Sequence, residues 1–325
     1  MINNLANTLG KTVVVLSMLL ALAAFKVDAT YTLEKTYQKY KAKYPELQHA
    51  SEAATELTVW KAQTYKTLGE LKLGMDVYAR ADQQGLKPAV LLVHGGGWIA
   101  GSRDLYQTLA GRLAEKGYIV ASVSYRLSPQ AKYPAAVHDV RDSLRWLRLH
   151  AGKYGIDPER IFIGGGSAGG QIASLVGLTT GSKHLDLHVK SQPELGRVSG
   201  IINIDGLSSF VVPLALKHEN DPKKKPSAAE AWFGGRYEQV PELWQQASPL
   251  THVSKQAPPM LFIKSSRLRF SAGIEEMQAS LKQHGVYHKV TQLAGSPHSF
   301  WLFEPWMTET VDMINAFLQE LENMA

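Results

Sequence analysis

From Val59 to the C-terminus, short uninterrupted apolar runs take turns with longer stretches of helical spacing. The runs are AVLLVHG, YIVASVSY, RIFIGGG, GIINIDG and PMLFIKS, and helical stretches at 104–116, 134–150, 168–179 and 271–284 separate most of them. A strand with one face in water alternates apolar and polar residues, whereas a strand covered on both faces does not. The pattern therefore predicts an α/β fold, a mostly parallel sheet with helices on both faces. HKVTQLAG and the amphipathic tail 308–323 add a last strand and a last helix. Ahead of the first of these runs, TVWKAQTYKTL and ELKLGMDVYAR read as a hairpin about Gly69, and TYTLEKTYQKYKAKYPEL reads as a polar amphipathic helix.

The first 29 residues follow another pattern. Lys11 precedes an apolar run from Val13 to Phe25, and Val27 and Ala29 put small residues just ahead of Thr30. That run is shorter than the ~20 residues a bilayer-spanning helix needs, so the segment resembles a secretory leader, with an uncleaved anchor as the alternative. Three parts are expected: a leader at 1–29, an N-terminal helical extension at 30–55, and one catalytic domain at 56–325 without an internal linker. The expected location is periplasmic or extracellular, with no stable membrane association after the leader is removed.

Composition narrows the picture further. The chain has 325 residues, 45% hydrophobic and 20% charged, enough to bury a sizeable core. With no Cys, it has no disulfide framework and no lipoprotein attachment site. The formal charge of +6 is spread along the chain, and the one tight basic run is Lys223-Lys224-Lys225 between Pro222 and Pro226. A solvated loop explains that run, and attraction to an acidic polysaccharide is the sharper reading. No recognition motif points to nucleic acid, and no cluster has the spacing of a metal site. Neither a metal nor a cofactor is expected.

Three short motifs carry chemistry. Gly165-Gly166-Ser167-Ala168-Gly169 matches G-x-S-x-G between a buried strand and a helix, where a strained turn lifts a serine hydroxyl above the sheet. His94-Gly95-Gly96-Gly97-Trp98 ends the first buried parallel strand. Glycines there let backbone N–H groups approach a carbonyl oxygen that is gaining charge, so Gly96, Gly97 and Ala168 are the candidate oxyanion-hole donors. His94 is read as holding that loop. His298, in AGSPHSFWLFEPW after the last strand, is the candidate base.

With these pieces in this order, the chain resembles the α/β-hydrolase fold, in particular the esterase and lipase group related to hormone-sensitive lipase and to secreted carbohydrate esterases. The matching pieces are HGGGW, SYRLSP with YPAAVHDVRDSLRWL, GGSAGG, ASPLTHV ahead of PPMLFI, and PHSFW. The resemblance implies ester hydrolysis through an acyl-enzyme: Ser167 attacks, His298 carries the proton, and a carboxylate holds the imidazole. Family members usually supply that carboxylate in H-G-x-x-D after the strand that here is MLFI, yet this chain reads Lys264-Ser265-Ser266-Arg267-Leu268. Asp205, at the end of GIINIDG, is the favoured replacement. Glu275, Glu304 and a Ser-His dyad with no acid are the alternatives, and Asp139 is read as a structural helix residue.

The stretch between Asp205 and PMLFI, including AAEAWFGGRYEQVPELW, looks like a small cap inserted between the sixth and seventh strands. Trp98, Trp232, Trp301 and Trp306 fall near the catalytic edge, where indole faces can stack on sugar rings or simply pack. Trp98 and Trp301 are the candidate substrate-binding pair. The expected substrate is a small-molecule or polysaccharide ester, foremost an acetylated plant polysaccharide or oligosaccharide such as pectin or xylan. A feruloyl esterase, short-chain lipase or serine peptidase is the alternative, and a non-catalytic binding protein on this fold is the third reading.

Overall fold

A computed structural model describes residues 31–187, 190–223 and 225–324. The leader expected at 1–29 and Lys224 of the basic run lie outside the described residues. Eight strands form the main sheet. They are β1 (Leu57–Leu68), β2 (Leu71–Arg80), β3 (Lys87–Val93), β4 (Ile119–Val123), β5 (Ile156–Gly166), β6 (Ile201–Ile204), β7 (Met260–Ser265) and β8 (His288–Leu293). Their spatial order is β1-β2-β4-β3-β5-β6-β7-β8. β1 pairs antiparallel with β2, and β2 antiparallel with β4; every other pairing is parallel.

The α-helices of six residues or more are α1 (Leu33–Tyr40), α2 (Gln107–Glu115), α3 (Ala135–Leu149), α4 (Ala168–Leu178), α5 (Pro213–Glu219), α6 (Ala228–Phe233), α7 (Pro241–Gln246), α8 (Ile274–Gln283) and α9 (Trp306–Met324). Successive side chains of a strand point to opposite faces, and β3 divides accordingly. Ala89, Leu91 and Val93 join one core with Val140 of α3, Leu175 of α4 and Met277 of α8. Val90 and Leu92 join the other with Leu109 of α2 and Ile314 of α9. The unbroken apolar runs thus reflect burial on both sides.

The N-terminal helix is shorter than its sequence pattern. It begins at Leu33, with Thr32 Oγ1 accepting from the Lys35 N–H, and ends at Tyr40. Pro45 disfavours helical geometry at Tyr44, and the chain instead turns into Gln48–His49, which pairs antiparallel with Phe303–Glu304.

The cap is residues 206–259, containing α5, α6 and α7. Ser227 caps α6 through Glu230 N–H, and Gly234 ends it in the left-handed conformation. Phe210, Trp232, Phe233 and Trp244 of this segment form one aromatic cluster that is fastened to Trp98.

Candidate active site

The chain reverses sharply between β5 and α4. Ser167 sits at φ 56°, ψ −124°, a conformation that L-residues adopt only when their surroundings hold it. Two bonds do so: Ser167 N–H donates to Ile204 O at 2.8 Å, and Gly166 N–H donates to the Tyr106 hydroxyl at 2.7 Å. The flanking glycines are sterically required. A Cβ on Gly166 would stand 2.3 Å from the Trp301 ring, and one on Gly169 would stand 1.9 Å from Val93 O.

His298 reaches this hydroxyl from the loop after β8. Its Nε2 lies 2.8 Å from Ser167 Oγ, and its Nδ1 lies 2.7 Å from Asp205 Oδ2. The Phe270 ring stacks on the imidazole, and Trp301 meets it edge-on at 5.4 Å. Burial pushes the His298 pKa below its ordinary value, and the bond to Asp205 opposes but does not cancel that effect. A neutral imidazole with Nδ1–H donating to the carboxylate leaves Nε2 free to accept the serine proton.

Asp205 follows β6 at φ 51° and is buried. Its N–H donates to Ile263 O on β7 at 2.8 Å, and Gly206 N–H closes the turn on Asn203 Oδ1. Ser265 then supplies two donors. Its hydroxyl reaches Asp205 Oδ2 at 2.7 Å and its N–H reaches Oδ1 at 3.0 Å. The basic stretch that lacks an acid therefore contributes the groups that hold one.

The other carboxylates stand elsewhere. Glu275 is exposed on α8. Glu304 pairs with Arg112 at 3.4 Å and accepts from Thr308 N–H at the start of α9. Asp139 is fully buried on α3 between Arg126 and Lys66. Among the described residues, no group of three His, Asp or Glu is arranged to hold a metal ion.

Gly96 and Gly97 lie beside the serine, both at positive φ, and a Cβ on Gly96 would come 2.0 Å from Ala100 O. Ala168 is the first residue of α4, so its N–H has no partner within the helix. His94 is buried, stacks on Tyr125, and donates from Nδ1 to Gly95 O at 2.8 Å. Its pKa is pushed down by burial to about 4, so it is a neutral fastener of this loop.

Two cavities open at Ser167. One, of about 90 Å³, is lined by Gly97, Trp98, Ala168, Leu207, Ala228 and Phe270, with the Arg269–Glu219 ion pair (2.9 Å) in its wall. The other, of about 380 Å³, is wider and includes His298, Ser299 and one side of α1. Tyr31, just ahead of α1, is tied to the loop after β8, its hydroxyl 3.1 Å from Ser299 Oγ.

The tryptophans depart from their reading as sugar platforms. Trp301 is fully buried under Gly166 and offers no face to a ligand. Trp98 is 5% exposed, stacked on Trp232 and bonded through Nε1 to Gln171, and it lines the small cavity. Trp232 and Trp306 are likewise buried. Ser265, Phe270, Tyr106 and the α1 residues at the site carried no motif. The one available signal for Ser265 was its place at the end of the strand next to that of Asp205.

Residues 75–268 match the BD-FAE family. The chain belongs to the BD-FAE family. Esterase LipC of Mycobacterium tuberculosis is similar to this BD-FAE chain, 28% identical over 76% of it and 62% of LipC. The probable carboxylic ester hydrolase LipM of the same organism is 31% identical over 76% of this chain and 58% of LipM. The BD-FAE chain thus spans about three-fifths of these two curated relatives. Versiconal hemiacetal acetate esterase of Dothistroma septosporum is 30% identical over 75% of each chain. Among solved structures, a truncated carbohydrate esterase from gut microbiota superposes with TM-score 0.69 at 21% identity, covering 85% of this chain and 100% of that one. An arylesterase follows at TM-score 0.66 and 19% identity, covering 92% and 96%. These likenesses are of fold, which is that of the α/β-hydrolases.

Proposed function

We propose that this chain is a serine carboxylic-ester hydrolase that removes short acyl groups, acetyl foremost, from carbohydrate. The observation that carries this reading is the continuous hydrogen-bonded row Ser167 Oγ, His298 and Asp205 at 2.8 and 2.7 Å. Ser167 Oγ attacks the ester carbonyl carbon while His298 Nε2 takes its proton. Asp205 fixes the imidazole tautomer and stabilises the imidazolium. The N–H groups of Gly96, Gly97 and Ala168 receive the oxyanion. The C–O bond to the alcohol then breaks, and the imidazolium returns its proton to the departing oxygen. A water, deprotonated by the same nitrogen, attacks the acyl-enzyme and releases the acid and Ser167.

The small cavity supports a short acyl group. It is the tighter of the two spaces at Ser167, about 90 Å³ against about 380 Å³, which favours an acetyl over a feruloyl group there. The names of the acetate esterase relative and the carbohydrate esterase neighbour support the same substrate class. The test is acetate release from 4-nitrophenyl acetate and from acetylated xylan and pectin. Ser167→Ala should lower turnover by ~10³-fold or more, and activity surviving that change would overturn the assignment.

Export is the second part of the proposal and rests on the leader-like pattern of residues 1–29. Expressed with that segment in a Gram-negative host, the protein should begin near Thr30. An intact Met1 in the membrane fraction would contradict it.

A further inference from the structure

The two cavities at Ser167 can be assigned to the two halves of an ester. The imidazolium must hand its proton to the leaving oxygen, so the alcohol lies on the side of His298. His298 lines the wider cavity and not the small one, which leaves the small cavity for the acyl group. Most of the small cavity's wall cannot yield. Trp98 is locked by its stack on Trp232 and its bond to Gln171, and Leu207 is packed in the core. Phe270 lies flat against His298, and Ala228 has nothing beyond its Cβ to withdraw. One part of the wall is built differently. Glu219, the last residue of α5 in the cap, meets Arg269 of the turn Leu268–Ser271 after β7, whose Nη2 donates to Oε1 at 2.9 Å. An ion pair, and not packing, joins the two segments there. The Glu219 side chain is 10% exposed and that of Arg269 44%, so the pair has the cavity on one side and water on the other.

We propose that the Arg269–Glu219 pair is the end wall of the acyl subsite and limits the acyl group to a short chain. This rests on the esterase reading above and deepens it by naming the residues that set acyl length. A half-exposed pair of this kind adds little to stability, so its removal should leave the fold in place and turn a closed pocket into a slot open to solvent. A methylene moved out of water onto apolar surface is worth ~4-fold in binding, and a slot that covers two of the four extra methylenes of a hexanoyl chain should gain it ~10-fold or more.

The experiment compares kcat/KM for 4-nitrophenyl hexanoate and 4-nitrophenyl acetate, using the full chain. Arg269 also lies over the Phe270 ring at 4.8 Å, and Phe270 stacks on His298, so losing Arg269 can change the turnover of any ester. The ratio of the two substrates cancels such changes. Arg269→Ala and Glu219→Ala should each raise the hexanoate-to-acetate ratio by ~10-fold or more. In the same variants the ratio for hexyl acetate over ethyl acetate, where the longer chain is on the alcohol side, should move by less than ~2-fold. A hexanoate-to-acetate ratio that stays within ~2-fold of the wild type in either alanine variant overturns the proposal while leaving the esterase reading intact, because the acetate esters are still cleaved. A shift that appears in the alcohol series instead overturns the assignment of the cavities, and the proposal with it. If the wild type hydrolyses none of these esters, both readings fall.

Discussion

Strands β6 and β7 run side by side, with Ile204 opposite Ile263, and end at the same edge of the sheet, but they finish in opposite ways. β6 breaks at once into a left-handed residue, Asp205, whose carboxylate is buried. β7 runs on through Ser265 into a basic loop that contains no carboxylate but supplies a hydroxyl and an N–H to Asp205. One strand end carries the charge and the other holds it in place. The imidazole requires an acceptor at a point in space, and either neighbouring strand can supply it. A buried carboxylate without donors would instead tend to take up a proton.

The largest expected effect comes from removing the charge. Asp205→Asn should lower kcat by ~10⁴-fold with little change in KM, because the imidazole loses the partner that fixes its tautomer. The pH profile supplies a second reading of the same variant. Activity requires neutral His298 and is lost as pH falls through its pKa, so the acid limb of kcat/KM in the wild type should lie below the ordinary ~6.5. The Asp205 carboxylate raises that pKa against burial, and without it the limb should move lower still. A limb that moves upward in Asp205→Asn would break the contrast between the two strand ends.

A smaller effect is expected at the end of β7. Ser265→Ala removes the hydroxyl bond to the same oxygen that accepts from His298, and should cost about tenfold in kcat. Ser265→Thr, which keeps a hydroxyl, should recover most of it. Equal loss in both variants would mean that packing and not the hydrogen bond is what Ser265 provides. Smallest of all, Glu275→Gln and Glu304→Gln should leave kcat/KM within ~3-fold, as neither side chain is near the imidazole. Glu304→Gln should appear instead as a slightly lower Tm, through Arg112 and the first turn of α9.

The parts of the site written into local backbone geometry were legible in the sequence. A G-x-S-x-G turn and a triple glycine announce themselves because nothing larger fits there, as the contacts at Gly166, Gly169 and Gly96 illustrate. Asp205 was legible only as one of several carboxylates. Its claim rested on a strand end, and the decisive fact, Ser265 reaching across from β7, belongs to strand pairing. Of the two tryptophans read as a substrate-binding pair, Trp98 lines the small cavity while Trp301 is buried, because sequence position near a loop says nothing about side-chain direction. Trp301 follows His298 by three residues, yet its ring fills the space beneath the nucleophile turn. The role of α1 in the wall of the wider cavity was hidden for a related reason, since its partners at the site come from the far end of the chain.

That last contact bears on how the protein assembles. The Tyr31–Ser299 bond joins residues 268 positions apart, and Gln48–His49 pairs with Phe303–Glu304 over a similar distance. Contacts of such span carry the largest loop-closure entropy and gain nothing until the intervening sheet has formed. The mouth of the site should therefore form late in folding, once the segments around Tyr31 and Ser299 have met. During refolding, recovery of turnover should lag behind recovery of secondary structure.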